Sequence, residues 1–405
     1  MELNSIDRDF LATKRKKLLT DEDFNLNFSK LENHFNNKKV LIIGGSGSIG
    51  SSFVSEISEF SLKSIHIIDP NENGLTNLVR NLRSKDNKAS SLNLITSPLD
   101  FGSKITEQFI IDNGPYDFIY NFAAIKHVRS EKDLYSTMQM FDTNVVKHSN
   151  LLEKILKEKS SKGYFSVSTD KAANPVSLMG ASKKIMELVL QCKHLESESD
   201  LITSTTRFAN VAFSNGSLLQ SFPIRFEKQE PLPSPIDIDR YFVSHKEAAQ
   251  ICMLSTASLS DGDILVPKIS ESFKLYPIIE VAKNFIHSKN LIPVVVDTKE
   301  EAYKIISKKN NEYPIYATIP DTSGEKEFEE FVGSGEELKE SEFENFDIVK
   351  HSEFDIGKLK EFLLEFNLML SGDKKLNKKD LVERIKQIVK SFNHIDTGLS
   401  LDNRM

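Results

Sequence analysis

A strand-like segment followed by three evenly spaced glycines constrains the fold of this chain more than any other feature. Residues 40–43 are four consecutive apolar positions after Lys39, which is typical of a strand buried in a parallel sheet. Gly44, Gly47 and Gly50 follow at intervals of three. The next segment is amphipathic, with apolar residues at Phe53, Val54, Ile57 and Phe60. The order of strand, glycine loop and helix predicts the first unit of an α/β sheet.

The three glycines have separate expected roles in this loop. The first permits a tight turn, the second lets the backbone approach a pyrophosphate, and the third lets the helix pack on the strand. The N-terminus of the helix also offers free N–H groups and a positive dipole end to phosphates. We therefore predict that a dinucleotide binds here. The predicted cofactor contacts in the loop are Gly44, Ser46, Gly47, Ser48, Ile49 and Gly50.

An acidic residue ends the next predicted strand. Asp69 lies nineteen residues after Gly50, near the distance at which an acid binds the adenosine ribose hydroxyls in such folds. No arginine follows Asp69 directly, so a 2′-phosphate would meet negative charge, which favours NAD over NADP. The alternative is that Asp69 caps the helix around Leu75. Asp100, in a later loop, is a second candidate that would contact the adenine.

Residues 116–124 predict another buried strand, and it ends in small side chains. A cofactor could therefore lie close to Ala123 and Ala124. Lys126 and His127 follow immediately. Because strands and helices keep alternating along the chain, we expect an α/β fold with a right-handed, Rossmann-type, doubly wound parallel sheet.

A second segment, residues 166–183, carries most of the candidate chemistry. Its start predicts the end of a strand, and the Asn-Pro pair at 174–175 predicts a turn. A helix should begin near Ser177 and place Met179 and Lys183 on one face, since they are four residues apart. Ligands bind at the carboxyl ends of strands in open α/β sheets. The polar residues expected at this strand end are Thr169, Asp170 and Lys171.

The composition indicates a soluble, cytoplasmic protein. Net charge is −7 over 405 residues, which argues against a broad nucleic-acid footprint. No apolar run reaches the ~18 residues that span a bilayer, and the N-terminus has no apolar signal core. The two cysteines, Cys192 and Cys252, have no metal-type spacing, so we predict neither a disulfide framework nor a metal site.

Changes in pattern divide the chain into four predicted parts. They are an N-terminal helical extension (1–36), an NAD-binding Rossmann domain (37–210 and 245–265), a smaller α/β substrate-binding lobe (211–244 and 266–350) and C-terminal helices (351–405). The extension is expected to pack on the body or on a second subunit, and the alternative is a flexible tail. The C-terminal part predicts two amphipathic helices, at 355–370 and 377–391.

Several of these motifs together resemble a known family. The chain resembles the extended short-chain dehydrogenase/reductase superfamily and, within it, the nucleotide-sugar 4,6-dehydratases of the polysaccharide-biosynthesis group, which act on N-acetylglucosamine. The resemblance runs from about residue 38 to 335 and extends to the tail at 394–405. The matching stretches are the glycine loop and residues 121–128, 168–175, 206–211, 240–244 and 324–330.

One position departs from the superfamily pattern. Met179 stands where the superfamily has a tyrosine paired with the lysine four residues later, here Lys183. A thioether cannot carry a proton. Many dehydratases of this group that retain configuration at C5 also have methionine there, so the resemblance implies the C5-retaining type. It leaves open which group takes the proton from the sugar 4-hydroxyl.

The resemblance implies NAD-dependent 4,6-dehydration of a nucleotide-activated N-acetylglucosamine, with UDP favoured and GDP as the rival. The C4 hydride moves to NAD, the C5 proton and the C6 hydroxyl leave, and the hydride returns to C6. We assign Asp170 as the acid toward the C6 oxygen and Lys171 as the base at C5, with a pKa lowered by burial and by Lys183. Thr169 would bond O4, and Lys183 would bind the nicotinamide ribose. The alternative for Asp170 and Lys171 is a surface ion pair.

The resemblance also implies substrate contacts beyond the sheet. Arg240 is the candidate for the diphosphate, because a guanidinium fork suits paired oxygens. The alternative is a surface arginine that pairs with Asp237 or Asp239. The other predicted substrate contacts are Lys126, His127, Asn210, Asn215 and Ser217. A homodimer through a helical interface is expected, and an epimerase of the same fold or a non-catalytic NAD-binding sensor are the alternative functions.

Overall fold

The computed structural model describes residues 5–84, 92–196, 200–258, 262–318, 328–350, 353–375 and 377–394. The strands in these ranges are β1 (Lys39–Ile43), β2 (Ser64–Ile68), β3 (Leu94–Ser97), β4 (Tyr116–Asn121), β5 (Ser161–Val167), β6 (Ile202–Thr206), β7 (Asn210–Val211), β8 (Leu232–Pro235), β9 (Asp239–Arg240), β10 (Phe242–Val243), β11 (Ile264–Pro267), β12 (Tyr276–Pro277), β13 (Ile292–Val296), β14 (Glu312–Thr318), β15 (Leu338–Lys339) and β16 (Phe346–Val349).

The α-helices are α1 (Ser5–Thr13), α2 (Asp21–Leu26), α3 (Phe28–Phe35), α4 (Ser48–Ile57), α5 (Glu72–Arg83), α6 (Lys104–Asn113), α7 (Leu134–Phe141), α8 (Lys147–Glu158), α9 (Leu178–Glu196), α10 (Leu218–Glu227), α11 (His245–Ser258), α12 (Ile278–His287), α13 (Lys299–Lys308), α14 (Ile356–Ser371) and α15 (Lys378–Ile388). A π-helical turn, Asp142–Val146, joins α7 to α8, and a 3₁₀ turn, Asp170–Ala172, follows β5.

The central sheet contains nine of these strands in the order β15-β16-β11-β6-β5-β4-β1-β2-β3. Strands β1 to β6 and β11 pair in parallel. The run β3-β2-β1-β4-β5-β6 is the strand order of a doubly wound dinucleotide-binding fold. The predicted Rossmann-type sheet is therefore confirmed.

The strand order reverses at β1, which creates the crevice where ligands bind in such sheets. Ile43, at the end of β1, pairs with Ile68 of β2 on one side and with Asn121 of β4 on the other. The predicted strand 116–124 ends at Asn121, earlier than expected. Its side-chain oxygen accepts the Ala123 N–H at 3.0 Å, which turns the chain away from the sheet.

Helices cover both faces of the sheet. One core joins α3, α4 and α11 to the strands, and another joins α8, α9, α14 and α15 to the opposite face. Helix α9 is buried from residue 178 to 192, because the sheet lies on one side and the C-terminal helices lie on the other. The two predicted C-terminal helices are confirmed, and the expected N-terminal extension packs on the body, with α1 against α12 and α3 against α11.

A smaller three-stranded sheet, in the order β13-β14-β8, lies apart from the central sheet with α12 and α13. Its strands confirm the α/β character of the predicted lobe. The predicted limit of that lobe at residue 350 does not follow the sheet pairing, because β15 and β16 belong to the central sheet. Strand β16 pairs antiparallel with β11, and buried Phe346 and Val349 draw it onto the main core.

Candidate active site

The glycine loop, residues 44–50, turns from β1 into α4 as the sequence predicted. Gly44 has a φ of +75°, a left-handed conformation that favours glycine, and a Cβ there would lie 2.7 Å from the Ala123 nitrogen. A Cβ on Gly50 would overlap the carbonyl oxygen of Gly44. At Gly47 a Cβ would meet only that oxygen, at an ordinary 3.4 Å. The protein itself requires glycine at 44 and 50, whereas Gly47 leaves room before α4 for a ligand.

Asp69 lies where β2 ends and is 8% exposed. Its carboxylate accepts the backbone N–H groups of Ser46 at 3.0 Å and of Asn71 at 2.9 Å. The side chain of Asn71, not Asp69, caps α5. The carboxylate is thus fixed beside the glycine loop, where it could bind a ribose while the N-terminus of α4 holds a pyrophosphate. These residues fit a dinucleotide such as NAD.

The other predicted cofactor contacts differ in whether they face the cavity that is described in the next paragraph. Asp100 is paired with Lys147, with its carboxylate oxygen 2.6 Å from the ammonium nitrogen, and accepts the Gly102 N–H at 2.9 Å. Ala124 faces the cavity described next, whereas Ala123 packs behind it against the glycine loop. The adenine contact of Asp100 stays a prediction.

A cavity of about 830 Å³ opens at the carboxyl ends of β4, β5 and β6, beside the first turn of α4. The predicted site residues that line it are Ile49, Ala124, Lys126, His127, Thr169, Asp170, Lys171, Met179, Lys183, Asn210 and Ser217. Those outside its lining are Gly44, Ser46, Gly47, Ser48, Gly50, Asp69, Asp100, Ala123, Asn215 and Arg240. The structure therefore gathers the predicted catalytic residues in one space.

The Thr-Asp-Lys motif forms a linked set of polar groups at the end of β5. The Thr169 hydroxyl donates to one carboxylate oxygen of Asp170 at 2.6 Å. The other oxygen of Asp170 is 3.3 Å from the Lys171 ammonium nitrogen. The Asp170 side chain is 3% exposed and that of Lys171 is 33% exposed. The pair is therefore part of the cavity wall and not the solvated surface pair of the alternative interpretation.

The charge of Lys171 differs from the sequence-based expectation. Burial lowers the pKa of Lys171, but the carboxylates of Asp170 and Glu329 raise it by more, so the net change is upward. The cation that opposes them is Arg240, not the expected Lys183. The prediction of a lowered pKa is wrong for this state of the site, because the sequence did not reveal the second carboxylate.

Lys183 is the buried cation of the site. Its ammonium group donates to the carbonyl oxygen of Val167 at 2.8 Å, which fixes it at the end of β5. Burial lowers the pKa of Lys183 to about 8, although Glu187 partly opposes this. Met179 lies one turn earlier on α9, and its N–H donates to the carboxylate of buried Glu131 at 2.9 Å. The first turn of α9 is thus held in place beneath the cavity.

A buried ionic network lies next to the turn that carries Asp170 and Lys171. Ser168 donates through its hydroxyl to Glu187 at 2.6 Å. Glu187 also accepts two bonds from the fully buried guanidinium of Arg207, at 2.7 and 2.8 Å. Arg207 in turn binds Glu336, at 2.6 and 2.7 Å. Charges buried in this way must be paired, so the network links β5, α9 and the segment before β15.

The predicted substrate residues lie on the other side of the cavity. Asn210 follows β6, and Ser217 caps α10 by accepting the Gln220 N–H. Asn215 lies in the same loop as Ser217, and its N–H donates to the Ser48 hydroxyl at 2.8 Å. This bond brings the substrate-side loop onto the first turn of α4, although Asn215 itself stands outside the lining.

Arg240 does not line the cavity. Its side chain is 12% exposed, and its Nε lies 3.6 Å from a carboxylate oxygen of Glu329. One guanidinium nitrogen also donates to the carbonyl oxygen of Asp239 at 2.9 Å. The ion pair with Glu329 differs from both sequence-based alternatives, and the diphosphate contact stays a prediction.

Two functional candidates were not identified from the sequence. Asn144, in the π-helical turn, binds both backbone groups of Ile125 at 2.9 Å and so shapes the loop after β4. Glu329 is buried and pairs with Arg240, and the charges of Asp170 and Lys171 act on it. It lies in the matched stretch 324–330, of which residues 324–327 are outside the described ranges. Its acidic side chain within that matched stretch was the available signal.

Within the described ranges, no group of three or more His, Cys, Asp or Glu side chains could hold a metal ion. Cys192 and Cys252 are both buried, and neither forms a disulfide. The described helices also include none that is long and apolar enough to cross a bilayer.

Three curated relatives are similar to this chain. The "uncharacterized membrane protein MJ1061" of Methanocaldococcus jannaschii is 28% identical over 91% of this chain and all of that protein. The capsular polysaccharide biosynthesis protein CapD of Staphylococcus aureus is 28% identical over 66% of this chain, which spans only 44% of CapD. The UDP-N-acetylglucosamine 4,6-dehydratase (inverting) of Campylobacter jejuni is 25% identical over 58% of this chain and 68% of that enzyme.

Two solved structures share the fold. Pen from Bacillus thuringiensis superposes with a TM-score of 0.62 at 20% identity, covering 78% of this chain and 90% of Pen. The Bordetella bronchiseptica enzyme WbmF in complex with NAD⁺ superposes with a TM-score of 0.51 at 17% identity, covering 71% of this chain and 89% of WbmF. A family model described as polysaccharide biosynthesis protein matches residues 40–351. The chain therefore belongs to the polysaccharide biosynthesis protein family, with the extended short-chain dehydrogenase/reductase fold.

Proposed function

We propose that this protein is an NAD-dependent nucleotide-sugar 4,6-dehydratase that acts on UDP-N-acetylglucosamine. The observation that supports this most is the single cavity that joins Thr169, Asp170 and Lys171 to Lys183, next to the first turn of α4. An acid, a base and a buried cation at the end of one strand are what a coupled oxidation and elimination requires. Bound NAD would supply the hydride acceptor for C4 and the hydride donor for C6.

The hydrogen bond between Thr169 and Asp170 offers a route for the first proton, which Met179 cannot take. The Thr169 hydroxyl donates to Asp170 and accepts the Lys171 backbone N–H at 3.5 Å, which leaves its oxygen a second lone pair for a bond from the sugar 4-hydroxyl. As C4 is oxidised, the proton of the 4-hydroxyl would pass to Thr169 while the Thr169 proton passes to Asp170. Asp170 would then be protonated and able to donate to the departing C6 oxygen.

Lys171 is the proposed base at C5, and it would act from its minor, neutral form, because the neighbouring carboxylates raise its pKa. The 4-keto group acidifies the C5 proton, and the Lys171 amine would take it while the C6 hydroxyl leaves with the proton from Asp170. The elimination then balances, with one water lost and one proton gained by Lys171. Lys171 would return that proton to C5 as the hydride returns to C6, which restores the base and sets the configuration at C5. Lys183 would bind the nicotinamide ribose, and its buried positive charge would stabilise the developing oxygen charge at C4.

Two kinds of named relative bear on the choice of reaction. The Campylobacter jejuni enzyme is named as a dehydratase, which supports loss of the C6 oxygen. A Rickettsia typhi relative, 28% identical over 64% of this chain, is named UDP-glucose 4-epimerase. An epimerase shuttles hydride at C4 only and normally uses the tyrosine that Met179 replaces here. That replacement favours the dehydratase. The C5 outcome proposed here is retention, whereas the Campylobacter relative is named as inverting.

The test is to incubate the purified protein with UDP- and GDP-N-acetylglucosamine separately, first without and then with added NAD. We expect the UDP sugar to lose 18 mass units, which is one water, and the proton NMR couplings of the product to show retained configuration at C5. An epimer of unchanged mass would replace the dehydratase with an epimerase. Reaction of the GDP sugar alone would reverse the nucleotide preference, and no product with either sugar would contradict the proposal.

A further inference from the structure

The side-chain amide of Asn210 lines the cavity, and its nitrogen is already engaged. An amide nitrogen has two N–H donors. Here Nδ2 donates to one carboxylate oxygen of Glu329 and, at 3.3 Å, to the carbonyl oxygen of Tyr241. That carbonyl also accepts the backbone N–H of Asn210 at 3.2 Å. Among the described residues none donates to the amide oxygen, Oδ1, which is therefore the polar atom that Asn210 offers to a ligand.

The two partners of Nδ2 fix which way this amide faces. A half-turn about its last bond would exchange the oxygen and the nitrogen. Oδ1 would then lie against the Glu329 carboxylate and the Tyr241 carbonyl, which are both acceptors. Two hydrogen bonds would be lost, and acceptors would face one another without a proton between them. Asn210 is thus held as a hydrogen-bond acceptor toward the cavity.

Glu329 is itself held rigidly behind Asn210. It is 6% exposed, and its second oxygen accepts the backbone N–H of Tyr241 at 2.8 Å. The Nε of Arg240 lies 3.6 Å from the oxygen that binds Asn210. Burial raises the pKa of Glu329 and the charge of Asp170 raises it further, to about 7. At pH 8 the group is therefore mainly a carboxylate, with acceptor oxygens only.

We propose that Glu329 is a positioning residue that makes Asn210 an acceptor for a hydroxyl or acetamido N–H group of the sugar. The diphosphate offers only acceptor oxygens, so Oδ1 would repel it. The sugar is chosen over the nucleoside because Asn210 shares the cavity with Thr169, Asp170 and Lys171. The identity of this ligand rests on the proposed function, whereas the orientation of the amide does not.

Glu329→Gln should reverse the amide. The oxygen of the new side chain would keep the strong bond from the Tyr241 N–H, and its NH₂ group would then face Nδ2 of Asn210. Because two donors cannot bond each other, the Asn210 amide would turn over and present Nδ2 to the cavity. Glu330→Gln, at an exposed neighbouring position, is the matched control and should leave the amide in place.

The orientation is measured on the full chain without substrate, by NMR at pH 8 with ¹⁵N-labelled asparagine. The Asn210 side-chain signal is identified by its loss in Asn210→Asp. In wild type we expect its two protons to exchange slowly with water, because both are bonded. In Glu329→Gln the exchange should be roughly tenfold faster or more, as for loss of a hydrogen bond. Fast exchange in wild type would overturn the proposal even if Glu329→Gln does not fold, and so would an unchanged rate in a folded Glu329→Gln.

Calorimetric titration with UDP and with UDP-N-acetylglucosamine then identifies the group that Oδ1 binds. The protein is loaded with NADH, which cannot accept the C4 hydride, so the sugar is not consumed. In Glu329→Gln we expect the sugar nucleotide to bind about tenfold more weakly and UDP to change by less than about twofold. Equal weakening of both ligands would indicate a purely structural role and overturn the proposal, as would unchanged binding of the sugar nucleotide.

A double variant exchanges the donor and the acceptor between the two residues. In Asn210→Asp combined with Glu329→Gln, the new NH₂ group at position 329 can donate to one carboxylate oxygen at position 210, and the other oxygen faces the cavity. We expect this variant to bind UDP-N-acetylglucosamine more tightly than Glu329→Gln alone, and equal or weaker binding would overturn the acceptor role. If wild-type protein binds neither UDP nor the sugar nucleotide but the amide protons exchange slowly, the proposed function fails and the positioning role of Glu329 stands.

Discussion

The glycine loop and the charged cluster, which is the four groups Asp170, Lys171, Arg240 and Glu329, are built in different ways. The glycine loop comprises seven consecutive residues, and it works through backbone shape: a left-handed Gly44 and a Gly50 that packs on the Gly44 carbonyl. The charged cluster draws its members from positions between 170 and 329, and each member changes the pKa of others. The conformation of the loop is determined by residues close together in the sequence. The pKa values in the charged cluster depend instead on which distant residues the fold brings together.

This comparison predicts that substitutions in the two regions will impair the protein in different ways. Changes in the charged cluster should alter rates and their pH dependence. Changes in the glycine loop should alter stability and cofactor affinity at every pH, because no titrating group is involved.

The largest expected effect is on activity in Lys171→Ala. Removal of a general base typically lowers the rate by about 10²–10⁴-fold, so dehydration should fall within that range. The assay is the rate of water loss from UDP-N-acetylglucosamine. Lys162→Ala is the matched control, because Lys162 lies near the amino end of the same strand, β5, and its side chain is 78% exposed. Dehydration by Lys171→Ala at near wild-type rate would remove Lys171 from the mechanism.

The buried ionic network of Glu187, Arg207 and Glu336 should make the stability of the protein depend on pH. Burial raises the pKa of Glu336, but Arg207 and Lys184 lower it by more, to about 2, against an ordinary value of 4.5. A depressed folded-state pKa stabilises the protein above about pH 4.5, and the contribution is lost as the pH falls toward 2. The difference corresponds to a free energy of unfolding on the order of 3 kcal/mol.

Glu336→Gln tests this contribution through urea unfolding at several pH values. We expect the variant to be less stable than wild type at pH 7 and the difference to shrink as the pH approaches 2. Glu337→Gln, whose side chain is 76% exposed, should behave like wild type. A difference that stays constant with pH would show that the Glu336 charge is not responsible.

Two glycine substitutions should separate packing from ligand binding in the loop. In Gly50→Ala the new methyl group meets the Gly44 carbonyl oxygen, so we expect a loss of about 1–3 kcal/mol in stability. In Gly47→Ala the methyl group makes only an ordinary van der Waals contact with the Gly44 carbonyl oxygen, so stability should change by less than about 0.5 kcal/mol. NAD affinity should nevertheless fall in Gly47→Ala, because the methyl group occupies the approach to the pyrophosphate.

Thermal unfolding measures the stability of these variants, and calorimetric titration measures their affinity for NAD. Gly335→Ala serves as a distant control for the titration, because a Cβ there has no neighbour within 4 Å, although its φ of +81° carries a backbone cost. Equal NAD affinity in Gly47→Ala and wild type would show that the pyrophosphate lies elsewhere.

The smallest expected effect concerns the choice between NAD and NADP. In Asp69→Asn the negative charge at the proposed ribose site is lost, although one backbone N–H can still be accepted. We expect NAD to bind about tenfold more weakly, as for loss of a charge-assisted hydrogen bond, and discrimination against NADP to fall. Competitive titration with both dinucleotides gives the ratio of the NAD affinity to the NADP affinity. An unchanged ratio would mean that Asp69 supports only the glycine loop.

The amino-acid sequence by itself determined the alternating α/β pattern, the glycine loop, Asp69 and the Thr-Asp-Lys motif. These features are readable because each depends on residues within one turn or one strand of each other. Helical and strand periodicity, glycine spacing and turn residues all act over such short distances.

Only the tertiary structure decided which distant side chains meet. The charge of Glu329 acts on Lys171, Arg240 pairs with Glu329 and not with its neighbouring aspartates, and β16 joins the central sheet and not the lobe. The pKa of Lys171 changes direction for the same reason. Coulombic interactions and burial depend on separation in space, and that separation is set by the packing of the whole chain.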